Sequence, residues 1–252
     1  MDLKFFYILI YVIIVLLLIE RVILLIYVMS DIHGCYHEYI KMLELIDFNS
    51  NDTLYIIGDV LDRGENPMKI LLHMMNCENI IPIFGNHDLE GYPFLIKEYN
   101  GEIDELERKF LWWISQGGRT TLEDFRSLSK ENQSLVISYI EEFRYYEEVI
   151  ANDTSYVLVH GGLKDFEINK PLDEYKLHDL VWERPDYNKV YFSDKFIVSG
   201  HTPTHFIDKD KRGEIIIKNN HICIDCGCVY NNRLGCLCLN TMEEFYINKE
   251  NL

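Results

Sequence analysis

Short apolar runs alternate along the chain with segments whose apolar residues recur every three or four positions. The first run, Val22–Met29, is followed by helical spacing over residues 36–46, and the second, Thr53–Ile57, by helical spacing over residues 67–75. A third run lies at Ile80–Phe84. Runs that are apolar on both faces predict buried strands, so the repeated unit predicts an α/β domain with a mostly parallel sheet and helices outside it.

The chain beyond these units divides into a helical part and a strand-rich part. Residues 103–146 have helical spacing and many aromatic side chains, and no Pro- or Gly-rich stretch separates them from the preceding units. We therefore interpret them as a helical insertion within one domain. Several short strand-like segments follow between Tyr146 and Ile247.

The chain opens with a strongly apolar segment that is uninterrupted from Phe5 to Ile19. A membrane-spanning helix needs about 20 apolar residues, so this segment is a marginal candidate for one. It lacks the basic start and the small-residue cleavage site of a secretory signal. We therefore separate residues 1–21 from a domain over residues 22–252. The segment is either a membrane anchor through residues 3–19 or an extension that does not belong to the working protein.

The overall charge restricts the partners of the protein. The chain has 24 Lys and Arg against 41 Asp and Glu, a net charge of −17. Nucleic-acid binding requires clustered basic residues, so we expect no nucleic-acid partner. A small phosphorylated substrate remains compatible, because bound metal ions can make a local site positive. The seven cysteines cannot all pair, which favours reduced thiols and a cytoplasmic location, with membrane anchoring as the alternative.

Chemically capable side chains directly follow five of the predicted strands. They are Asp31, His33, Asp59, Asp62, Asn86, His87, Asp88, His160 and His201. Carboxylate, amide and imidazole donors together suit Mn, Fe or Zn, and there are enough of them for two ions if one carboxylate bridges. Two such ions can hold a hydroxide and bind the oxygens of a phosphoryl group, with Arg63 and Arg184 as candidates for binding that phosphate.

The order of these motifs resembles that of the calcineurin-like metallophosphoesterases. The motifs are Asp31-Ile32-His33-Gly34, Gly58-Asp59-Val60-Leu61-Asp62-Arg63-Gly64, Gly85-Asn86-His87-Asp88, His160-Gly161-Gly162 and Gly200-His201-Thr202. The intact Asp62-Arg63-Gly64 motif is similar to that of the phosphoprotein-phosphatase branch, especially that of its bacterial and phage serine/threonine phosphatases. The resemblance covers roughly residues 25–247. It implies an α/β fold in which two β-sheets pack as a sandwich between helices, in four αββα layers.

The resemblance also implies a role for each site residue. The metal ligands would be Asp31, His33, Asp59, Asn86, His160 and His201, with Asp59 bridging the two ions. His87, oriented by Asp62, would protonate the leaving group. Arg63 and Arg184, together with Asn86, would bind the phosphate. The cofactors would be two divalent metal ions; manganese is usual in bacterial relatives, and iron or zinc is the alternative.

These roles predict a metal-dependent phosphomonoester hydrolase that uses water bound between two metals, acting on serine/threonine-phosphorylated protein. Position 88 is Asp, where that branch usually has Glu. Because Asp is common there in symmetrical dinucleoside tetraphosphatases, hydrolysis of diadenosine tetraphosphate or of a small phosphate ester is the alternative. A membrane-tethered binding module without catalysis is a third hypothesis, which the intact set of metal ligands disfavours.

Two further motifs have structural interpretations. Among the five cysteines between Cys223 and Cys238, only Cys223 and Cys226 have C-x₂-C spacing, which falls short of a zinc knuckle. We expect instead a hairpin that turns at residues 230–233, with the thiols packed as small apolar groups. The pair Gly117-Gly118 is expected to break a helix and to support the cleft.

Overall fold

Two five-stranded β-sheets form the centre of the computed structural model, which describes residues 24–249. The strands of the first sheet are β1 (Ile26–Met29), β2 (Thr53–Ile57), β3 (Ile80–Ile83), β9 (Arg233–Cys238) and β10 (Glu243–Asn248). Their order is β10-β9-β1-β2-β3. Strands β1, β2 and β3 are parallel, whereas β9 runs antiparallel to both of its neighbours.

The second sheet repeats this mixed arrangement. Its strands are β4 (Glu147–Ala151), β5 (Thr154–Leu158), β6 (Lys195–Ser199), β7 (Ile216–Lys218) and β8 (His221–Cys223). Their order is β4-β5-β6-β8-β7, and β5, β6 and β8 are parallel. The antiparallel strands β4 and β7 form its edges.

Helices cover the outer faces of the sheets. They are α1 (Tyr36–Leu45), α2 (Pro67–Met74), α3 (Asn86–Asn100), α4 (Arg108–Trp113), α5 (Arg119–Ser127), α6 (Lys130–Glu141), α7 (Leu177–Trp182) and α8 (Thr204–Ile207). A π turn over Ile114–Gly118 joins α4 to α5. Helices α4 to α6 therefore lie within the predicted insertion.

Alternation within single strands explains how the layers are held together. In β2, Leu54 and Ile56 pack in the cluster beneath the helices, whereas Tyr55 and Ile57 pack in the cluster between the two sheets. Successive side chains of a strand point to opposite faces, so a strand that is buried on both faces must be apolar throughout. The α/β sandwich between helices is confirmed. The apolar pattern predicted mostly parallel pairing but not the division into two mixed sheets, because strands in either arrangement are covered on both faces.

Pro82 is accommodated because β3 is an edge strand of the first sheet. A proline has no N–H to donate to a neighbouring strand, so it is tolerated at an edge where no strand needs that donor. Its carbonyl oxygen instead accepts a hydrogen bond from the Arg144 backbone N–H at 3.0 Å.

The predicted hairpin around residues 230–233 is wrong. Strand β8 belongs to the second sheet and β9 to the first, so the segment crosses from one sheet to the other. Gly227 and Asn231 adopt positive φ angles of 73° and 59°, which turn the chain between the sheets. The alternating pattern correctly predicted strands but could not show which strands pair. The five cysteines of this segment are buried free thiols: Cys223, Cys226, Cys228, Cys236 and Cys238.

Over residues 24–249, no helix has the combined length and apolar character that crossing a bilayer requires. The apolar segment at residues 1–21, which carries the anchor hypothesis, lies outside the described residues.

Candidate active site

The predicted metal ligands lie together at one edge of the sandwich, after parallel strands of both sheets. Asp31 and His33 follow β1, Asp59 follows β2, Asn86 follows β3, His160 follows β5 and His201 follows β6. All six side chains are buried. Because the carboxyl ends of parallel strands meet at one edge, residues up to 170 positions apart in sequence come into contact, as between His201 and Asp31.

Asp59 occupies the centre of the donor cluster. One of its carboxylate oxygens lies 3.4 Å from Nε2 of His33, and the other lies 3.4 Å from Nε2 of His160. On the first side, Asp31 Oδ1 lies 4.0 Å from His33 Nε2, and on the second, Asn86 Oδ1 lies 3.0 Å from His160 Nε2. The two oxygens of Asp59 thus face two separate donor groups, as a bridging carboxylate requires.

Backbone carbonyl groups fix the orientation of two histidines. Nδ1 of His33 lies 2.8 Å from the Leu61 carbonyl oxygen, and Nδ1 of His160 lies 2.8 Å from the Ile57 carbonyl oxygen. Each Nδ1 therefore carries the proton and donates it, which leaves the Nε2 lone pair directed into the site. Burial lowers the pKa of His33 well below its ordinary value, and Arg63 lowers it further, so the ring is held neutral.

His201 adds a further ring nitrogen, Nε2, that is available to bind a metal ion. Its backbone N–H donates to Asp31 Oδ2 at 3.0 Å, and its Nδ1 lies 2.8 Å from Asn86 Oδ1. Its Nε2 is buried and has no hydrogen-bond partner among residues 24–249. Burial lowers the pKa of His201 to about 2, with the neighbouring His160 as the next cause. A neutral imidazole with a free lone pair, beside carboxylate and amide oxygens, fits a divalent metal ion.

The backbone is strained where it presents these donors. The φ angle is 53° at Asp31, 45° at His33, 56° at Asp59 and 63° at His201. Left-handed backbone at residues with a Cβ atom costs about 1–3 kcal/mol each and persists where the surrounding structure imposes it. Such strain concentrates at functional sites.

His87 and Asp62 form an acid pair next to the donor cluster. Nδ1 of His87 lies 2.7 Å from Asp62 Oδ2, and the Asp62 carboxylate also accepts from the Thr121 hydroxyl at 2.7 Å and from the Trp113 indole at 3.1 Å. Burial alone would lower the pKa of His87, but the carboxylates of Asp59 and Asp62 overcome it and raise the pKa. The pair can hold a proton for transfer to a substrate oxygen.

Both predicted phosphate-binding arginines reach the same pocket, whose volume is about 150 Å³. Nη1 and Nη2 of Arg63 lie 2.5 Å from His33 Nε2 and 2.6 Å from His87 Nε2. Arg184 is exposed, and its Nη1 donates to the Thr202 hydroxyl at 3.0 Å.

Gly117 and Gly118 hold this arrangement in place. Gly117 has φ of 110°, its carbonyl oxygen accepts from the Arg63 N–H at 3.0 Å, and a Cβ there would lie 2.7 Å from Arg63 Cγ. A Cβ on Gly118 would lie 2.3 Å from Trp113 Cε2. The glycine pair therefore allows the chain to approach both Arg63 and the indole that supports Asp62.

Asp88 has a structural role. It is fully buried and accepts hydrogen bonds from four backbone N–H groups, those of Gly85, Asp59, Val60 and Leu61, at 2.8–3.0 Å. It is not among the residues that line the pocket. The presence of Asp instead of Glu at this position therefore affects the loop that carries Asp59. It does not change a direct contact with a substrate.

Sequence reasoning missed several residues that the structure brings to the site, among them Trp113, Thr121 and Asp225. Trp113 and Thr121 come from the helical insertion, and no local signal links them to Asp62. Asp225 is buried, lines the pocket and follows β8, the third parallel strand of the second sheet. The strand-end rule that identified Asp31 would have found Asp225, but the segment was interpreted as a hairpin.

This donor cluster and the two-sheet fold define a metal-dependent phosphoesterase. The chain belongs to the calcineurin-like phosphoesterases, since that family's model matches residues 24–232. It is a hydrolase of the metallophosphoesterase type. Two donor groups, His33 with Asp59 and His87, and Asp59 with Asp31 and His160, each have ligand atoms within 4.8 Å of one another.

Known proteins of two substrate classes are similar to this chain. The asymmetrical bis(5'-nucleosyl)-tetraphosphatase PrpE of Halalkalibacterium halodurans is 26% identical over 238 residues, which cover 83% of this chain and 88% of the relative. The solved structure of a candidate diadenosine tetraphosphatase aligns with a TM-score of 0.65 at 17% identity, over 92% of this chain and 96% of the other. A serine/threonine phosphatase from Saccharomyces cerevisiae, similar to human PP5, aligns with a TM-score of 0.56 at 14% identity, over 93% and 82%. Both structural similarities show the fold alone.

Proposed function

We propose that this protein hydrolyses bis(5'-nucleosyl) polyphosphates of the diadenosine tetraphosphate type. The similarity to PrpE over 83% of this chain supports this substrate over phosphoprotein, which the sequence interpretation had placed first. The observation that carries the proposal is the combination of a buried metal-donor cluster, two arginines and aromatic side chains in one pocket. Anionic phosphates and nucleobases are the two groups that such a pocket suits.

The reaction would depend on groups with separate tasks. The residues that would hold the ions are Asp31, His33, Asp59, Asn86, His160 and His201. Two divalent ions, manganese in our proposal, would supply an activated water and neutralise phosphate charge. Arg63 and Arg184 would bind non-bridging oxygens in bidentate fashion. His87 would donate its proton to the leaving oxygen, while Asp62 holds the ring in position.

Serine/threonine phosphoprotein is the second candidate substrate, and the His87–Asp62 pair favours it. A serine or threonine alkoxide leaves poorly without a proton, and a positioned imidazolium supplies one. A phosphoanhydride leaving group depends less on this assistance.

We also propose a cytoplasmic location, because the seven cysteines are free thiols. We propose no nucleic-acid partner.

A substrate panel with the manganese-supplemented full-length chain tests the proposal. We expect kcat/KM for diadenosine tetraphosphate to exceed that for a phosphoserine peptide by at least about tenfold, a margin of ~1.4 kcal/mol in transition-state binding. Chromatography of the products would distinguish ATP plus AMP from two ADP. The variant Asp59→Asn should lose activity on both substrates. Preferential hydrolysis of the phosphopeptide would overturn the proposal in favour of the second candidate.

A further inference from the structure

Five aromatic side chains contribute to the lining of the active-site pocket: Trp112, Trp113, Trp182, Phe206 and Tyr230. Three of them are well exposed, by 42% for Trp112, 72% for Phe206 and 46% for Tyr230. Several large exposed aromatic rings grouped at one opening are unusual on a monomer surface and mark a place where a ligand covers them.

Two of these rings are already engaged by neighbouring side chains. The Arg63 guanidinium carbon lies 5.3 Å from the centroid of the Tyr230 ring, so this ring supports an arginine that reaches the metal donors. The Phe206 ring packs on His205 with centroids 4.1 Å apart. Trp113 is fully buried. Trp112 and Trp182 remain as a surface that can receive a flat group, and we refer to them as the tryptophan platform.

The tryptophan platform extends from the metal-donor cluster toward solvent. The Trp182 ring stands edge-on to the ring of the donor His201, with centroids 5.8 Å apart at 83°. The Trp112 ring lies next, 6.2 Å from Trp182 at 48°. The Nε1–H of Trp182 is buried and has no hydrogen-bond partner within residues 24–249. The platform therefore offers an aromatic surface to a ligand.

Trp113 connects the tryptophan platform to the His87–Asp62 pair. Trp112 directly precedes Trp113, whose indole donates to Asp62 and stacks on Phe94 with centroids 5.2 Å apart at 13°. Arg184 lies two residues after Trp182 and lines the same pocket. A phosphate on Arg184 and a ring on the tryptophans would together match the two ends of a nucleoside monophosphate.

We infer that the tryptophan platform binds one nucleobase of the substrate by stacking, with Arg184 binding the phosphate on the same nucleoside. This inference rests on the proposed function for its substrate class. Stacking of a base on an aromatic side chain contributes enough affinity that its removal weakens binding about tenfold or more. Stacking tolerates any base, so the platform requires a nucleobase but does not select adenine.

Equilibrium binding with paired ligands tests the inference. Isothermal titration of the full-length chain with Mn²⁺ would compare AMP with ribose 5-phosphate, which has the same phosphate and sugar but no base. We expect AMP to bind at least about tenfold more tightly. Trp112→Ala should abolish most of this difference and leave ribose 5-phosphate binding within about twofold, whereas Trp112→Phe should preserve the difference. Leu111→Ala, which alters an exposed neighbour on the same helix outside the pocket, is the matched control.

The outcomes separate this inference from the proposed function. Equal affinities for AMP and ribose 5-phosphate would contradict nucleobase binding by the tryptophan platform, even if diadenosine tetraphosphate is hydrolysed. An equal loss of affinity for both ligands in Trp112→Ala would contradict it as well. A base-dependent affinity that Trp112→Ala removes would support the platform even if the tetraphosphate is not a substrate, and only the proposed function would then fail.

Discussion

The imidazole of His87 and the carboxylate of Asp62 lie 2.7 Å apart, although Asp62 belongs to the loop after β2 and His87 lies in the first turn of α3. Thr121 and Trp113, both from the helical insertion, also donate hydrogen bonds to that carboxylate. The insertion thus contributes directly to the orientation of the proposed acid. These contacts with Asp62 account for the position of the insertion against the site, although none of the predicted site residues lies in the insertion.

Asp62→Asn should reduce catalysis in a way that depends on the leaving group. The amide removes the charge that helps His87 to remain protonated, so we expect kcat for an alkyl phosphate to fall by roughly 10²–10³. The loss for p-nitrophenyl phosphate should be smaller, because its phenolate leaves without a proton. Thr121→Ser, which keeps the hydroxyl, is the control. Equal losses on both substrates would contradict a role in leaving-group protonation.

Gly117→Ala should disturb Arg63 through contact with the new methyl group, 2.7 Å from Arg63 Cγ. Gly101→Ala is a matched control, since Gly101 has a φ of 73° and nothing within 4 Å of a Cβ. Gly101→Ala should cost about 1 kcal/mol in unfolding free energy through backbone strain, and Gly117→Ala should cost more, because its Cβ also meets Arg63. We expect only Gly117→Ala to raise KM for a phosphate substrate, by about tenfold. Similar kinetics in both variants would show that contact with Arg63 is unimportant.

His221 should make the protein less stable in mild acid. Burial lowers its pKa to about 3, and its Nε2 lies 2.9 Å from the Ser199 hydroxyl. As the pH falls below about 6.5, the unfolded chain takes up a proton that the folded protein does not, so folding weakens by about 1 kcal/mol between pH 6 and 5. Urea unfolding of His221→Gln at both pH values should show a correspondingly smaller decrease. His178→Gln, at an exposed ring, should retain the full decrease.

Binding of a divalent ion to the donor cluster should stabilise the fold. Mn²⁺ at about 100 times its dissociation constant should add about 2.7 kcal/mol to the unfolding free energy, measurable as a rise in Tm. Asp59→Asn should lose most of this rise while the apoprotein still folds, because asparagine tolerates the left-handed backbone at that position. Glu90→Gln, at another pocket residue, should retain it. A Tm that does not respond to Mn²⁺ in the wild-type protein would argue against the site.

The sequence predicted the placement of site residues best where the local pattern also determines their position in the fold. Asp31, Asp59 and Asn86 could be placed at one edge because each follows a buried strand, and parallel strands end together. Trp113 and Asp225 could not be placed in this way. Trp113 reaches Asp62 through packing between distant segments, and Asp225 was hidden by an incorrect strand pairing. The division into two sheets was also beyond the apolar pattern and came from the family resemblance.

The left-handed backbone at Asp31, His33, Asp59 and His201 has a consequence for protein engineering. Glycine at these positions would relieve the conformational penalty while deleting a donor, so the stability of the metal-free protein and turnover are opposed at the same residues. A library selected for thermal tolerance without metal would favour glycine there and enrich inert scaffolds. Each round of directed evolution on this chain should therefore include a turnover screen.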